Sequence, residues 1–317
     1  MAAISIGTLT DLEKTQYVRE GLQIAKPNLI YSQYGQGDRV EKREGKTRQW
    51  FRMTKIAVTS GASGNFSGYT YEKNATGAPP TFTPATPGDT TVSATADYLF
   101  GQGHEWNEGA QYTSFADLPK ELREINAAHA SEAIDTEVRN VVVAGTNVSY
   151  ANSKASRGLL TSADTLDTND LIDALTNMRN NDAKEIKGSY PVLASANVIS
   201  QLMKDSDFKT AVQLQKDYLF SGMIAEYLGM RFHWTSRAPT VANSGSNNAV
   251  SNVEQTLIVA ANSYGVTKWM LNDYDVVYTG PGGFGDEWAV RHAMTWKYVH
   301  KAVILNQNWL LRLESAR

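Results

Sequence analysis

Hydrophobic and polar positions change period several times along the chain. "KTRQWFRMTKIAVTS" (46–60) is rich in β-branched and aromatic residues and predicts a strand. "TVSATADYLFGQGHEW" (91–106) alternates again. Between them, 60–91 is dominated by Gly, Ser, Thr, Ala and Pro without any apolar period. Two strands joined by such a tip predict an extended hairpin, with a functional or mobile loop at its end. At Ser114 the period becomes helical. Leu118, Leu122, Ile125, His129, Ala133, Ile134, Val138, Val141 and Val142 recur at helical spacing until about Gly145. Ser114 with Asp117 fits a capping-box-like start, and Pro119 is tolerated in a first turn. About 26 residues gives roughly 40 Å of helix. The average is about 11–12 residues, so this helix is a spine.

The second half interleaves both periods. "TNDLIDALTNMRNND" (168–182) predicts a capped helix with Leu171, Ile172, Leu175 and Met178 inward, and "YPVLAS" (190–195) a short buried strand. Helices are expected near 196–205 and 207–217, and strands at "GMRFHWTSRAP" (229–239), "QTLIVAA" (255–261), "GVTKWML" and "YDVVYTG". "VANSGSNNAVSN" (241–252) reads as a polar loop. Interleaved strands and helices predict a compact α/β unit. From Trp288 to Ile304 the even positions are apolar or aromatic and the odd ones small or charged. Period two held for about 17 residues predicts one strand of roughly 55 Å.

The opening of the chain fits neither pattern. Residues 1–30 hold one weak helical patch (Leu12, Gln16, Tyr17, Leu22), broken by Gly21 and Pro27, and read as an arm. "KPNLIYSQYGQGDRVEKREGKTRQWFRM" (26–53) has no apolar stripe wide enough to face a core.

Composition narrows the function. The chain has 317 residues, 42% hydrophobic and 20% charged, enough for one large domain or two ordinary ones. Net charge is −3, against bulk nucleic-acid binding. The absence of cysteine excludes disulfides, thiolate metal sites and cysteine catalysis. No secretory signal is expected from "MAAISIGTLTDLEK", and no apolar run approaches the roughly 20 residues that span a bilayer. A reducing cytoplasm, or something assembled there, is the expected setting, with no membrane partner. Charge is uneven: Arg39, Lys42, Arg43, Lys46, Arg48, Arg52 and Lys55 are offset only by Glu41 and Glu44 between 39 and 55. Such a segment either attracts the acidic body of a second copy or is a solvated charged hairpin. Arg48, Trp50 and Arg52 alternate and share one face. With Arg39 and Arg43 they are the candidate intersubunit residues, their expected partners being acidic side chains of a neighbour.

Catalytic and metal motifs fail on spacing. "GHEWNEGA" has Glu108 where a zinc-protease helix needs a second histidine, among glycines that oppose a helix. "DTLDTND" (164–170) has acids three apart, where a calcium loop needs two. Capping by Thr168 or Asp170 accounts for it better. "PGGFGDE" (281–287) lacks the Lys-Ser/Thr of a phosphate loop and reads as a turn. "GASG" (61–64) lacks the glycine spacing of a nucleophile elbow. His292 and His300 share the apolar face of the long strand eight residues apart, as core histidines do. No nucleophile, base and orienter come together, so no catalysis, cofactor or metal is expected.

Taken in order, the parts are an arm, a basic hairpin, a spine helix, an α/β unit and a long final strand. This α+β arrangement resembles the major capsid protein of tailed double-stranded DNA bacteriophages, the Hong Kong 97-type fold, in the branch typified by coliphage N-four. "LIYSQYGQGDRVEKREGKTRQWFRM" looks like that family's arm-to-hairpin segment, and "TVSATADYLFGQGHEWNEG" like the returning strand. "AIDTEVRNVVVAGT" looks like the end of the spine helix. "YLGMRFHWTSRAP" looks like the strand leaving the axial domain. The resemblance covers nearly the whole chain but is diffuse. It implies an N-terminal arm (1–45), an extended loop or E-loop (46–110), a peripheral domain with the spine helix (111–160), an axial domain (161–280) and a long C-terminal strand returning to the peripheral domain (281–317). It further implies self-assembly into hexamers and pentamers of an icosahedral shell around packaged DNA held by confinement. It places the chain in a virion capsid assembled in the host bacterial cytoplasm. A portal protein and a separate scaffolding protein are implied partners, with room for a decoration protein. The segment from Lys26 to Met53 then lacks a core because its partners are neighbouring subunits. Lys55 and Lys73 lie where some relatives crosslink, but no catalytic acid is identified, and crosslinking is not expected. Rival readings are an encapsulin-type compartment shell with protein cargo, a soluble α/β hydrolase using His104 and Glu105, and a nucleic-acid module using Arg39 to Lys55.

Overall fold

The computed structural model describes residues 3–4, 30–41, 44–53, 88–96, 99–114, 117–213, 226–244, 250–270, 274–282 and 285–317. Most of the expected arm, and the hairpin tip at 60–87, lie outside the described residues. In chain order the elements are β1 (Ala3–Ile4), β2 (Gln36–Arg39), β3 (Thr47–Met53), β4 (Asp89–Thr95), β5 (Phe100–Asn107), α1 (Glu108–Thr113), α2 (Leu118–Val143), β6 (Val148–Tyr150), α3 (Thr168–Asn180), β7 (Tyr190–Ala194), α4 (Ala196–Lys204) and α5 (Ser206–Gln213). Then come β8 (Glu226–Tyr227), β9 (Met230–Trp234), β10 (Thr240–Ser244), β11 (Val250–Val259), β12 (Tyr264–Lys268), β13 (Asp275–Thr279), β14 (Arg291–Tyr298), β15 (His300–Ile304) and β16 (Leu310–Ala316).

Among the described residues the strands form four sheets. The largest has the order β6-β16-β11-β7-β9-β8, with β10 also on β11. Strand alternation gives it two apolar faces. Val192, Ala194, Ile258, Leu311 and Leu313 point one way, into a core closed by Leu171, Leu175 and Met178 of α3, Val198 and Leu202 of α4 and Phe208 of α5. Leu193, Leu257, Val259 and Leu310 point the other way, against Val138 and Val142 of α2, Tyr31 and Tyr264. A fully buried aliphatic side chain contributes about 1.5–3 kcal/mol, so both faces hold the sheet. The described residues of the polar loop expected at 241–252 belong to a strand pair, with β10 antiparallel to β11. Its outer strand is an edge, where polar residues cost little.

The spine helix α2 has 26 residues, as its period predicts. Of its eight buried residues, Leu118, Leu122, Asn126, Ala130, Ile134, Val138 and Val142 form an unbroken i, i+4 row, and the eighth, Asp135, accepts the Ser32 N–H at 2.9 Å. Four residues overshoot a 3.6-residue turn by about 40°, so the row winds around the helix and meets different partners along its length. Leu118 and Leu122 pack with Trp106 and Met294. Ala130 and Ile134 pack with Trp296 and Tyr298. Val138 and Val142 reach the large sheet. Asn126 is tolerated in the row because its amide donates to the Met294 carbonyl at 3.2 Å. Ile125, expected inward, is exposed. The capping box expected from Ser114 does not form. Ser114 ends α1, and Asp117 caps α2 without a side-chain hydrogen bond.

Further expectations are corrected. The strand expected over 288–304 is broken at Val299 into β14 and β15, which belong to different sheets. β14 lies between β5 and β13, whereas β15 pairs with β12, itself parallel to β2. Period two survives because both halves turn their even residues toward the core, so periodicity alone does not mark the break. The last strand, β16, enters the large sheet between β11 and β6. In α3, Asp167 and not Thr168 is the cap, its carboxylate and that of Asp170 forming a reciprocal capping box. Ile172 is exposed while Leu171, Leu175 and Met178 are buried.

Candidate interaction surface

The hairpin forms where the alternating sequence predicts it. β3 and β4 pair antiparallel from Thr47 opposite Thr95 to Met53 opposite Asp89, and form a sheet of their own. The second predicted strand is thereby divided, since 100–107 continues into another sheet as β5. Arg48, Trp50 and Arg52 share a face, and that face meets the body of the same chain. The Arg48 Nε donates to Asp38 Oδ2 of β2 at 2.5 Å. Trp50 lies over Gly265 of β12. The Arg52 guanidinium stands 5.6 Å above the Trp309 ring. The acidic partner expected on a neighbour is, for Arg48, Asp38 of its own chain. Arg39 is exposed at the end of β2, and Arg43 lies outside the described residues.

The opposite face of β3 is apolar and open. Phe51 is 74% exposed and Met53 80%. The same alternation that groups Arg48, Trp50 and Arg52 assigns Phe51 and Met53 to the other face, so they were legible but overshadowed by charge. A crevice of about 530 Å³ runs between the hairpin and Asn262, Asn306 and Trp309.

A second exposed aromatic sits on the β13–β14 loop. Trp288 is 87% exposed. The described part of the loop is organised by Asp286, whose carboxylate accepts the N–H groups of Gly282 (3.2 Å), Val290 (3.0 Å) and Arg291 (2.9 Å). Those bonds, that from Arg291 foremost, hold its carboxyl below the usual range. The described residues of "PGGFGDE" lie in this connection between β13 and β14, and Gly283 and Phe284 lie outside the described residues.

His104 and Glu105 sit on β5 opposite Met294 and Ala293, and Glu105 lies 3.7 Å from Arg291. Among the described residues no three His, Asp or Glu side chains are grouped as metal ligands. His292 is buried, stacks on Trp106 and shares a 2.7 Å hydrogen bond with Tyr278. Glu314, fully buried, accepts Arg157 Nε at 2.7 Å and Gln255 Nε2 at 2.9 Å.

No family model matches the chain, and no curated protein matches it in sequence. Solved structures do match. The capsid of Ralstonia phage GP4 is 11% identical, aligns over 100% of this chain and 98% of its own, and gives a TM-score of 0.69. The capsid of cyanophage P-SCSP1u is 12% identical over 98% of this chain and 94% of its own, also at 0.69. The head of Helicobacter pylori bacteriophage KHP40 is 13% identical over 99% of both chains, at 0.68. At such identities the likeness is one of fold: the chain has the α+β, Hong Kong 97-type fold of phage capsid subunits.

Proposed function

We propose that this chain is a major capsid protein of a tailed bacteriophage, which self-assembles into hexamers and pentamers of an icosahedral shell enclosing packaged double-stranded DNA. The observation that carries the reading is a fold shared along nearly the full length with capsid subunits of several phages. Two local features support it. Phe51 and Met53 turn an apolar face to solvent on β3 of the hairpin, and Trp288 stands out from a loop braced by Asp286. Large exposed aromatics on ordered backbone suit interfaces, since little conformational entropy remains to be lost on docking. The net charge of −3 suits DNA held by confinement rather than by a basic lining.

A separate scaffolding protein and a portal complete the proposed assembly, which takes place in the host bacterial cytoplasm. The test is electron microscopy of the chain expressed alone and with a scaffolding protein from the same phage. Closed polyhedral particles are the expected result. A monodisperse monomer under both conditions overturns the reading. Particles from infected cells should contain DNA; a protein cargo instead would assign an encapsulin-type compartment.

A further inference from the structure

Strand β13 ends its sheet. Among the described residues it pairs only with β14, from Asp275 opposite Lys297 to Thr279 opposite Ala293, which leaves its other edge open. Val276 fixes the strand from beneath, packing against Trp106 and Met294 and against Trp296. Val277, Tyr278 and Thr279 are exposed. Alternate residues of an antiparallel strand turn N–H and C=O away from the partner they have, so an open edge offers backbone donors and acceptors to another strand.

Edges are ordinarily guarded by charge, proline, a bulge or shortness. Three other strands that end sheets, β1, β6 and β8, have only two or three residues each. The end strands β2 and β15 carry Arg39 and Lys301. β13 has five residues, neither proline nor lysine, and a single charge, Asp275, at its start. Its remaining residues, Val, Val, Tyr and Thr, are those that strands favour.

The strand is also complementary to itself. Opposed residues of an antiparallel pair turn their backbone groups both toward one another or both away, so a two-fold ladder of a strand with its own copy centres on one residue. Centred on Val277, it pairs Asp275 with Thr279, Val276 with Tyr278 and Val277 with itself, and uses all five residues. Like charges do not meet, and a β-branched residue faces an aromatic one, a favourable cross-strand pair. Centring on Val276 or Tyr278 would set strand residues against the flanking loops.

We propose that β13 pairs antiparallel with β13 of a second copy about a two-fold axis through Val277, joining two four-stranded sheets into one continuous sheet. This rests on the reading that copies of the chain assemble, and it assigns one contact between them. A two-fold contact is isologous, so the same short strand serves both subunits.

The chain has no cysteine, so an introduced thiol is the only one in its subunit. Opposed Cα atoms of an antiparallel pair lie about 4.5–5.5 Å apart, within the span of a disulfide. The test is mild oxidation of the full-length protein, both free and in the particles it forms, read as covalent dimer on non-reducing gels. Val277→Cys should give at least tenfold more dimer than Ala242→Cys, a control at an exposed position of β10. Asp275→Cys and Thr279→Cys should each stay monomeric alone and crosslink when mixed before assembly. That mixture carries the test should Val277→Cys fail to fold. No excess of dimer over the control in either arm overturns the proposal. Crosslinking of Asp275→Cys alone, to the extent of the mixture, places the axis elsewhere and overturns it as well. Particles that form without these crosslinks refute the pairing and leave the shell reading standing. Crosslinked dimers from a protein that forms no particles uphold the pairing and count against the shell.

Discussion

The indole of Trp50 lies so close over Gly265 that a Cβ on residue 265 would stand 2.8 Å from ring atom Cζ2. This contact joins β3 of the hairpin to β12 of the body, and glycine fills the position because no side chain fits beneath the ring. Gly265→Ala should therefore cost about 1–3 kcal/mol in urea unfolding, the usual penalty of overpacking. The cost should largely vanish in a Trp50→Ala background, since residues in contact do not add. An equal cost in both backgrounds would show that the indole is not what position 265 accommodates.

The two faces of β3 should separate assembly from folding. Phe51 and Met53 face outward, so Phe51→Ser with Met53→Ser should leave subunit unfolding within about 0.5 kcal/mol of the parent. Shell yield by sedimentation should fall at least tenfold. Arg48→Glu with Arg52→Glu should act differently. The first change sets a second carboxylate against Asp38, and the second removes the cation over Trp309. Trypsin should then cut the remaining sites of the hairpin faster in free subunits. Normal assembly of the serine pair would move the interface away from this face.

How much of this was legible follows from what each signal measures. The spine helix is legible because its i, i+4 row is a property of the sequence alone. The break at Val299 is not, because β14 and β15 keep the same inward parity while changing partners, and a pattern of period two carries no record of the partner. Alternation groups Arg48, Trp50 and Arg52 correctly on one face. It does not identify their partners, because Asp38 is only ten residues from Arg48 and sits beside a basic segment whose net charge hides it. Phe51 and Met53 are hidden in the same way: charge marks one face of a strand that has two.

Acid should strike the protein first at Glu314. Burial by itself raises this carboxyl, but hydrogen bonds from Arg157 and Gln255 and the charges of Arg157 and Arg312 outweigh it and hold the group below the usual carboxylate range. The folded state thus favours the charged form. Its contribution is present above the unfolded carboxylate pKa and is lost as pH falls through the lower folded value. Glu314→Ala leaves Arg157 and Arg312 facing an uncompensated site and should cost about 3–5 kcal/mol at pH 7. The informative variant is Glu314→Gln, whose stability should fall less steeply than that of the parent below about pH 4. Parallel curves would mean that other carboxylates, such as Asp164, govern the acid limb.

Asp170 should act with the opposite sign. It is 5% exposed. Burial pushes its carboxyl up to about 6 against the N–H groups it accepts from Asn152 and Asp167, with the charge of Asp167 adding to the rise. The folded state therefore favours the neutral acid. That contribution is fully present below the unfolded pKa and is lost as pH rises through the folded value, between about pH 4 and 6. A raise of this size corresponds to roughly 2–3 kcal/mol. Asp170→Asn removes the titration but has one acceptor oxygen for two backbone donors, a cost of about 1 kcal/mol that does not vary with pH. The absolute stability of the variant is thus ambiguous, and the difference between variant and parent is the readout. Measured by urea unfolding, it should move in favour of the variant by about 2–3 kcal/mol between pH 4 and pH 7. A difference that stays constant over that range would mean that Asp170 is ionised throughout, held so by its two backbone donors despite its burial.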